Sequence, residues 1–220
     1  MVDAAFVQDD IEEAYVFSGR RYARIKWTPY TAEEKITWGP AKISENWPAI
    51  TKAGFGTVEA VLPIPDVRTD FYFFFGGRVA RVKFSPGHDD AITEGPLKIT
   101  EKWKSLSSAG FDTIDSAMVV PGQKDEAYLF KGTKYVRINV KDDKITFGPA
   151  NLADEWPGLT QAGFDSVDAV IPVPNAKVDG EAYFFKGSQY ARIQVVRSGA
   201  DKLTWGPYPI ADYWKTFDWI

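Results

Sequence analysis

Four acidic residues, each followed by a small one, recur along the chain as Asp3-Ala4, Glu59-Ala60, Asp115-Ser116 and Asp168-Ala169. Small side chains let main chains approach closely, so such positions can gather oxygen atoms, the donor set of a hard cation. Four arginines recur in step with them: Arg24, Arg81, Arg137 and Arg192. A buried arginine needs a carboxylate partner. Recurrence in every copy points to a scaffold role, with the acidic series or acids of short helices as partners. His88 is the single histidine and sits in the turn-rich stretch Ser85-Pro-Gly-His-Asp-Asp90. It reads as a solvated loop residue and is also the candidate axial ligand for a haem. The chain has no cysteine, no second histidine to complete a zinc pair and no Gly-x-x-x-x-Gly-Lys phosphate loop. Its 30 Asp and Glu residues include no pair that the pattern selects for glycoside hydrolysis. The sequence therefore reads as non-enzymatic.

The elements that must position these residues follow from a four-fold internal repeat. The segment from Tyr15 to Ile25 aligns without gaps on Tyr72 to Val82, Tyr128 to Ile138 and Tyr183 to Ile193. Turn glycines Gly19, Gly76, Gly132 and Gly187 are spaced 57, 56 and 55 residues apart. Downstream come Ile36-Thr-Trp-Gly-Pro40, Thr93-Glu-Gly-Pro96, Ile145-Thr-Phe-Gly-Pro149 and Leu203-Thr-Trp-Gly-Pro207, then Trp47, Trp103, Trp156 and Trp214. Three copies close with Ala53-Gly-Phe55, Ala109-Gly-Phe111 and Ala162-Gly-Phe164; the fourth ends in Thr216-Phe-Asp-Trp-Ile220. Each unit reads as four short strands: a small and β-branched run, a hairpin around the glycine, and a fourth strand ending at Gly-Pro. A short helical segment started by a polar cap follows.

One such sheet is apolar on both faces and cannot bury them alone, whereas four around an axis can. The expected fold is all-β, a four-bladed propeller over 1–220 with repeats near 3–57, 58–113, 114–166 and 167–220. The first strand of each blade then lines the axis. Four parallel inner strands put equivalent carbonyl oxygens in one ring, suited to Ca²⁺ or Na⁺, and equivalent N–H groups in another, suited to chloride. The same acids could instead only cap neighbouring amides.

The pattern Asp168-Ala169, Ala182-Tyr-Phe-Phe-Lys-Gly187, Tyr190-Ala-Arg192 and Gly206-Pro207, with counterparts in every copy, resembles the hemopexin-like repeat across the whole chain. The chain is similar in size to stand-alone members such as the legume seed albumins of the albumin-2 type. The resemblance implies Ca²⁺ and chloride held by main-chain atoms in the axial channel. Carried over to this sequence, the metal positions are Asp3, Glu59, Asp115 and Asp168 with Ala5, Val61, Ala117 and Val170 two residues further on. It also implies a storage or ligand-binding role, with a polyamine or haem as ligand. The chain departs from vertebrate members in lacking the cysteine pair that staples the first blade to the fourth. The expectation is that Trp214 to Ile220 instead packs back on the first blade beside Asp3 to Phe6.

A net charge of −4 and a pI near 5.2 give no general attraction for nucleic acid or anionic lipid. The N-terminal residues carry no leader pattern and no apolar run of bilayer length occurs, so a soluble cytoplasmic or storage protein is expected. Monomer and homodimer both stay open. The alternative to a small-ligand carrier is a lectin or host-interaction module using rim loops, since aromatic rings stack on sugar faces. The recurrent tryptophans read as core. Trp27 and Tyr30, which fall outside the pattern, are the expected exposed contacts, together with His88 and with Tyr208 and Tyr213 as additions.

Overall fold

The β-branched and aromatic runs pair as antiparallel sheets, four strands to each repeat, in a computed structural model that describes residues 1–8, 13–65, 67–197 and 200–220. The first sheet holds β1 (Ala4–Gln8), β2 (Glu13–Ser18), β3 (Arg21–Trp27) and β4 (Glu34–Lys42). The second holds β5 (Ala60–Pro63), β6 (Asp70–Phe75), β7 (Arg78–Lys83) and β8 (Ala91–Lys98). The third holds β9 (Ser116–Val119), β10 (Glu126–Lys131), β11 (Lys134–Asn139) and β12 (Lys144–Asn151). The fourth holds β13 (Ala169–Pro172), β14 (Glu181–Lys186), β15 (Gln189–Gln194) and β16 (Lys202–Pro209). In each sheet the strands lie in chain order. The inner strand β1 touches β5 and β13, and β9 touches the same two. The four sheets therefore stand as blades around one axis, and the fourth meets the first.

The core lies between blades. Four clusters of buried apolar side chains each draw on two neighbouring blades, one cluster per seam. Trp47, Trp103, Trp156 and Trp214 are buried, one in each cluster, as their recurrence suggested. A tryptophan of this kind removes about 150–250 Å² from water, worth roughly 4–6 kcal/mol at about 25 cal/mol/Å².

Two local features shape each blade. The hairpin turns place Gly19, Gly76, Gly132 and Gly187 at φ of 53° to 58°, with no positive φ at the second turn residue. That is the II′ pattern, which matches the twist of the flanking strands. The Gly-Pro pair does not end the fourth strand, as the sequence suggested, but lies within it. Pairing slips around the repeated arginine, from Tyr22↔Ala41 to Arg24↔Trp38 to Ile25↔Ile36 in the first blade. Gly39 takes φ +82° at this bulge, and a Cβ there would stand 2.8 Å from the Tyr22 carbonyl oxygen. Proline is tolerated because the fourth strand is the outer edge of its blade.

Short helices follow each fourth strand: α1 (Ile43–Asn46) and α2 (Pro48–Lys52), α3 (Ile99–Lys102) and α4 (Lys104–Ala109), α5 (Leu152–Glu155) and α6 (Pro157–Gln161), and α7 (Ile210–Tyr213) with a 3₁₀ turn at Lys215–Phe217. No side chain of the preceding residue caps α1, α3, α5 or α7, contrary to the expected polar cap. In the first two pairs the second helix is capped from the next blade. The Ala49 N–H donates to Asp90 at 3.1 Å, and the Lys104 and Ser105 N–H groups donate to Asp143 at 2.8 and 3.1 Å. No described helix is long and apolar enough to cross a membrane.

Candidate functional site

The four recurrent acids occupy equivalent places at the heads of the inner strands. Each accepts the N–H of its own blade's turn glycine: Gly19 to Asp3, Gly132 to Asp115 and Gly187 to Asp168 at 2.6 Å, and Gly76 to Glu59 at 2.7 Å. Each also donates its own N–H to the second strand, to the oxygens of Phe17, Phe74, Phe130 and Phe185. The longer Glu59 reaches the same glycine as the aspartates, so the departure from the aspartate pattern is absorbed. Burial pushes the Asp3 carboxyl up; the Gly19 N–H draws it down and the neighbouring Asp168 carboxylate raises it again.

The carboxylates are thus tied to turns. Among the described residues no three His, Asp or Glu side chains come together to hold a metal. Ala5, Val61, Ala117 and Val170 do converge. All four line one cavity of about 380 Å³ at the ends of the inner strands, with Val7, Pro63, Val119 and Pro172. Small and β-branched side chains at these positions leave the main chain of the inner strands close to the cavity. An anion would need N–H groups other than those of the four acids.

The arginines have a different partner from either expected one. Arg24 pairs with Glu13 at 2.7 Å, Arg81 with Asp70 at 2.8 Å, Arg137 with Glu126 at 3.8 Å and Arg192 with Glu181 at 3.2 Å. These carboxylates open the second strands and recur at the same 57, 56 and 55 intervals as the turn glycines, a signal the sequence reading missed. Neighbouring blades add to two of the pairs. Arg197 of the fourth blade reaches Glu126 at 2.7 Å and holds that carboxyl below its usual range. Tyr30 of the first donates its hydroxyl to Glu181 at 2.6 Å.

Tyr30 and Trp27 lie where blades four and one meet. Trp27 is not an exposed contact: it is 8% exposed and packs 6.2 Å from Trp214. Its counterparts Phe84, Val140 and Val195 directly follow the other third strands, so it belongs to the repeat after all. Phe84 packs on Trp47 at 4.6 Å, and the Val140 carbonyl accepts the Trp103 indole N–H at 2.9 Å. Tyr30 also accepts the Lys177 N–H at 2.7 Å, and its ring carries Arg192 at 4.4 Å and Lys177 at 4.7 Å. His88 lies exposed, its N–H bonded to the Ser85 carbonyl.

A cleft of about 450 Å³ opens over this seam, lined by Trp27, Tyr30, Arg192, Trp205, Asp212 and Tyr213 among others. Trp205 and Tyr213 stand half-exposed in its lining, and Tyr208 packs against both from outside it. Trp205 lies 5.1 Å from Tyr208, and Tyr208 lies 4.9 Å from Tyr213. Tyr208 and Tyr213 were expected as secondary contacts; Trp205 was not singled out, because recurrence marked the tryptophans as core. A related cleft of about 540 Å³ lies over the seam of blades three and four, with Arg137, Phe147, Asp154 and Arg197 in its lining.

Comparison with known proteins agrees with this architecture. The Hemopexin family model matches residues 167–218. The structure of a 2S albumin seed protein from Dolichos is 32% identical, with a TM-score of 0.90 over 100% of this chain and 98% of that one. A hemopexin fold protein CP4 from cow pea is 30% identical, with a TM-score of 0.89 over 100% and 97%. A plant lectin with two metal binding sites from Cicer arietinum is 28% identical, with a TM-score of 0.88 over 98% and 96%. Four blades closed around an axis, a family match in the fourth and similarity along the full length lead to one conclusion: the chain belongs to the hemopexin-like family of four-bladed β-propellers.

Proposed function

We propose that this chain is a non-enzymatic carbohydrate-binding protein. The observation that carries the reading is the exposed pair of rings Trp205 and Tyr213 in the cleft between blades four and one, with Tyr208 packed against both. Its volume suits a small ligand. Exposed aromatic faces beside charged groups match a pyranose, which offers a C–H face to a ring and hydroxyls to polar side chains. The lectin from Cicer arietinum supports the same ligand class.

A polyamine is the second reading, supported by the net charge of −4 and by Glu33 and Asp212 in the cleft lining. It has a competitor inside the protein. Arg192 lies 4.4 Å from the Tyr30 ring and 5.9 Å from the Trp205 ring, so these cation–π positions already hold a guanidinium. Haem would rest on His88, on an exposed turn. Titration with methyl glycosides, spermine and hemin separates the three. Sugar binding diminished in Trp205→Ala supports the proposal. Saturable spermine binding with no response to any sugar would replace it with the polyamine reading, and a Soret shift lost in His88→Ala would favour haem.

An axial cation completes the reading, with Ca²⁺ or Na⁺ held by the main-chain oxygens of Asp3, Glu59, Asp115 and Asp168 or of Ala5, Val61, Ala117 and Val170. When bound, the ion supplies positive charge that offsets carbonyl oxygens gathered at the axis. The chain's own contribution is geometric: small side chains clear the axis, and the glycine tethers fix where each inner strand begins.

A further inference from the structure

The position opposite the repeated arginine on the fourth strand is Trp38, Glu94, Phe147 and Trp205 in blades one to four. Three of these are aromatic and stand in solvent: Trp38 is 50% exposed, Phe147 39% and Trp205 42%. Each meets a tyrosine of the third strand. The Trp38 indole donates to the Tyr22 hydroxyl at 2.8 Å, and Phe147 stacks on Tyr135 at 5.9 Å and 23°. Burial pushes the Tyr190 hydroxyl up, and Trp205 beside it draws it back down. The arginine beside each ring is fixed by its carboxylate, and Arg137 and Arg192 lie 5.8 and 5.9 Å from Phe147 and Trp205. A further carboxylate, Glu45, Asp154 or Asp212, stands two residues before the seam tryptophan, as Glu101 does in blade two.

Blade two keeps the paired arginine, Arg81 with Asp70, but loses both rings together. Val79 stands where the tyrosine is and Glu94 where the exposed ring is. Glu94 accepts two hydrogen bonds from Lys102, at 2.6 and 2.7 Å, and the ammonium group lies 5.4 Å from the Tyr72 ring. An ion pair thus covers the face that the other blades leave open. Packing does not account for this contrast, because the blade with no exposed ring closes its sheet and its seam like the others.

From this pattern we infer that the propeller carries three equivalent sugar-binding platforms, on blades one, three and four, and that blade two is closed. The inference rests on the carbohydrate reading above and adds the number and place of the sites. Each platform offers a flat ring for the C–H face of a pyranose, a fixed guanidinium to donate to its hydroxyls and a carboxylate to accept from them. Such a site binds one sugar weakly. Three on one chain engage a glycan-coated surface with a gain of about 10²–10⁴ over a single contact.

Calorimetric titration of the full chain with methyl glycosides of galactose, mannose, fucose and N-acetylglucosamine tests this, together with red-cell agglutination. A stoichiometry of about three is expected for the sugar that binds. Trp38→Ala, Phe147→Ala and Trp205→Ala should each remove one site, with the melting temperature checked for each. The double variant Trp38→Ala/Phe147→Ala should keep one site and lose agglutination by about 10²-fold or more. A stoichiometry of one in the unaltered chain, unchanged in the double variant, would overturn the three-platform inference and leave the carbohydrate reading standing. Absence of binding to every glycoside would overturn both.

Discussion

The Glu34 carboxylate of the first blade accepts the Thr216 N–H at 2.9 Å and the Thr216 hydroxyl at 3.1 Å, joining blades that lie 182 residues apart in sequence. This is the contact that Asp90 and Asp143 make at two other seams, placed where the ring must close without a disulfide. Phe217 stacks on Trp214 at 5.0 Å and 12° beside it, within the same cluster as Val2, Ala5 and Trp27. Glu34→Ala should cost about 1–3 kcal/mol, from orphaned donors in a partly buried place. Deletion of Phe217 to Ile220 should cost about 3–5 kcal/mol, as the loss of a buried aromatic does. Urea denaturation measures both, and a deletion variant of unchanged midpoint would show that the ring closes by other contacts.

Arg192 and Glu181 offer a second test, because the Glu181 side chain is almost wholly buried. Arg192→Ala strands that carboxylate and should cost about 3–5 kcal/mol. Tyr30→Phe removes one hydroxyl from the same group and should cost about 1–2 kcal/mol. A double-mutant cycle should show coupling between them; strict additivity would mean that the two side chains do not share Glu181.

Asp201 is aimed at blade three from the same place in the repeat as Glu34, and the Gly158 and Leu159 N–H groups draw its pKa down. Neither carboxylate oxygen completes a hydrogen bond, however, and burial dominates, pushing the carboxyl up to about 6 from 3.8. Between those values the folded chain holds a proton that the unfolded chain has lost. The contribution is therefore fully present below pH 3.8 and is lost as pH rises through 6. Asp201→Asn should raise the melting temperature at pH 7.5 and have little effect at pH 4, with a difference of about 1–2 kcal/mol. An equal effect at both pH values would refute the burial argument.

The axial ion predicts a chelator effect. A ligand bound only to the folded chain stabilises it, so EDTA should lower the melting temperature and excess Ca²⁺ restore it. Asp168→Asn keeps an oxygen for the Gly187 N–H and leaves the main chain in place, so the Ca²⁺ response should persist. Loss of the response in that variant alone would make the carboxylate itself a ligand. A melting temperature indifferent to EDTA and Ca²⁺ would remove bound Ca²⁺ from the reading.

Much of the fold is legible in the chain. Recurrence of Gly19, Trp47 and Arg24 fixes four equivalent sheets, and the apolar character of both sheet faces requires them to pack on one another. The tryptophans before each second helix are buried as recurrence implied. Trp27 shows where the reading by pattern failed: it looked unique because its counterparts are Phe84, Val140 and Val195, which share burial but not residue type. Trp205 shows the converse, since it recurs as an aromatic in three blades and yet lies in solvent.

The sequence by itself determined the repeat, the turn glycines and the small residues that clear the axis, because each of these is a local demand of backbone geometry or side-chain size repeated four times. Tertiary structure decided what each acid does. Asp168 holds a turn of its own blade, Glu181 pairs with an arginine and takes a hydroxyl from the next blade, and Glu34 secures the previous one. A carboxylate's partner depends on which donors the neighbouring blade brings within about 3 Å, and residues that meet across a seam carry no fixed spacing along the chain.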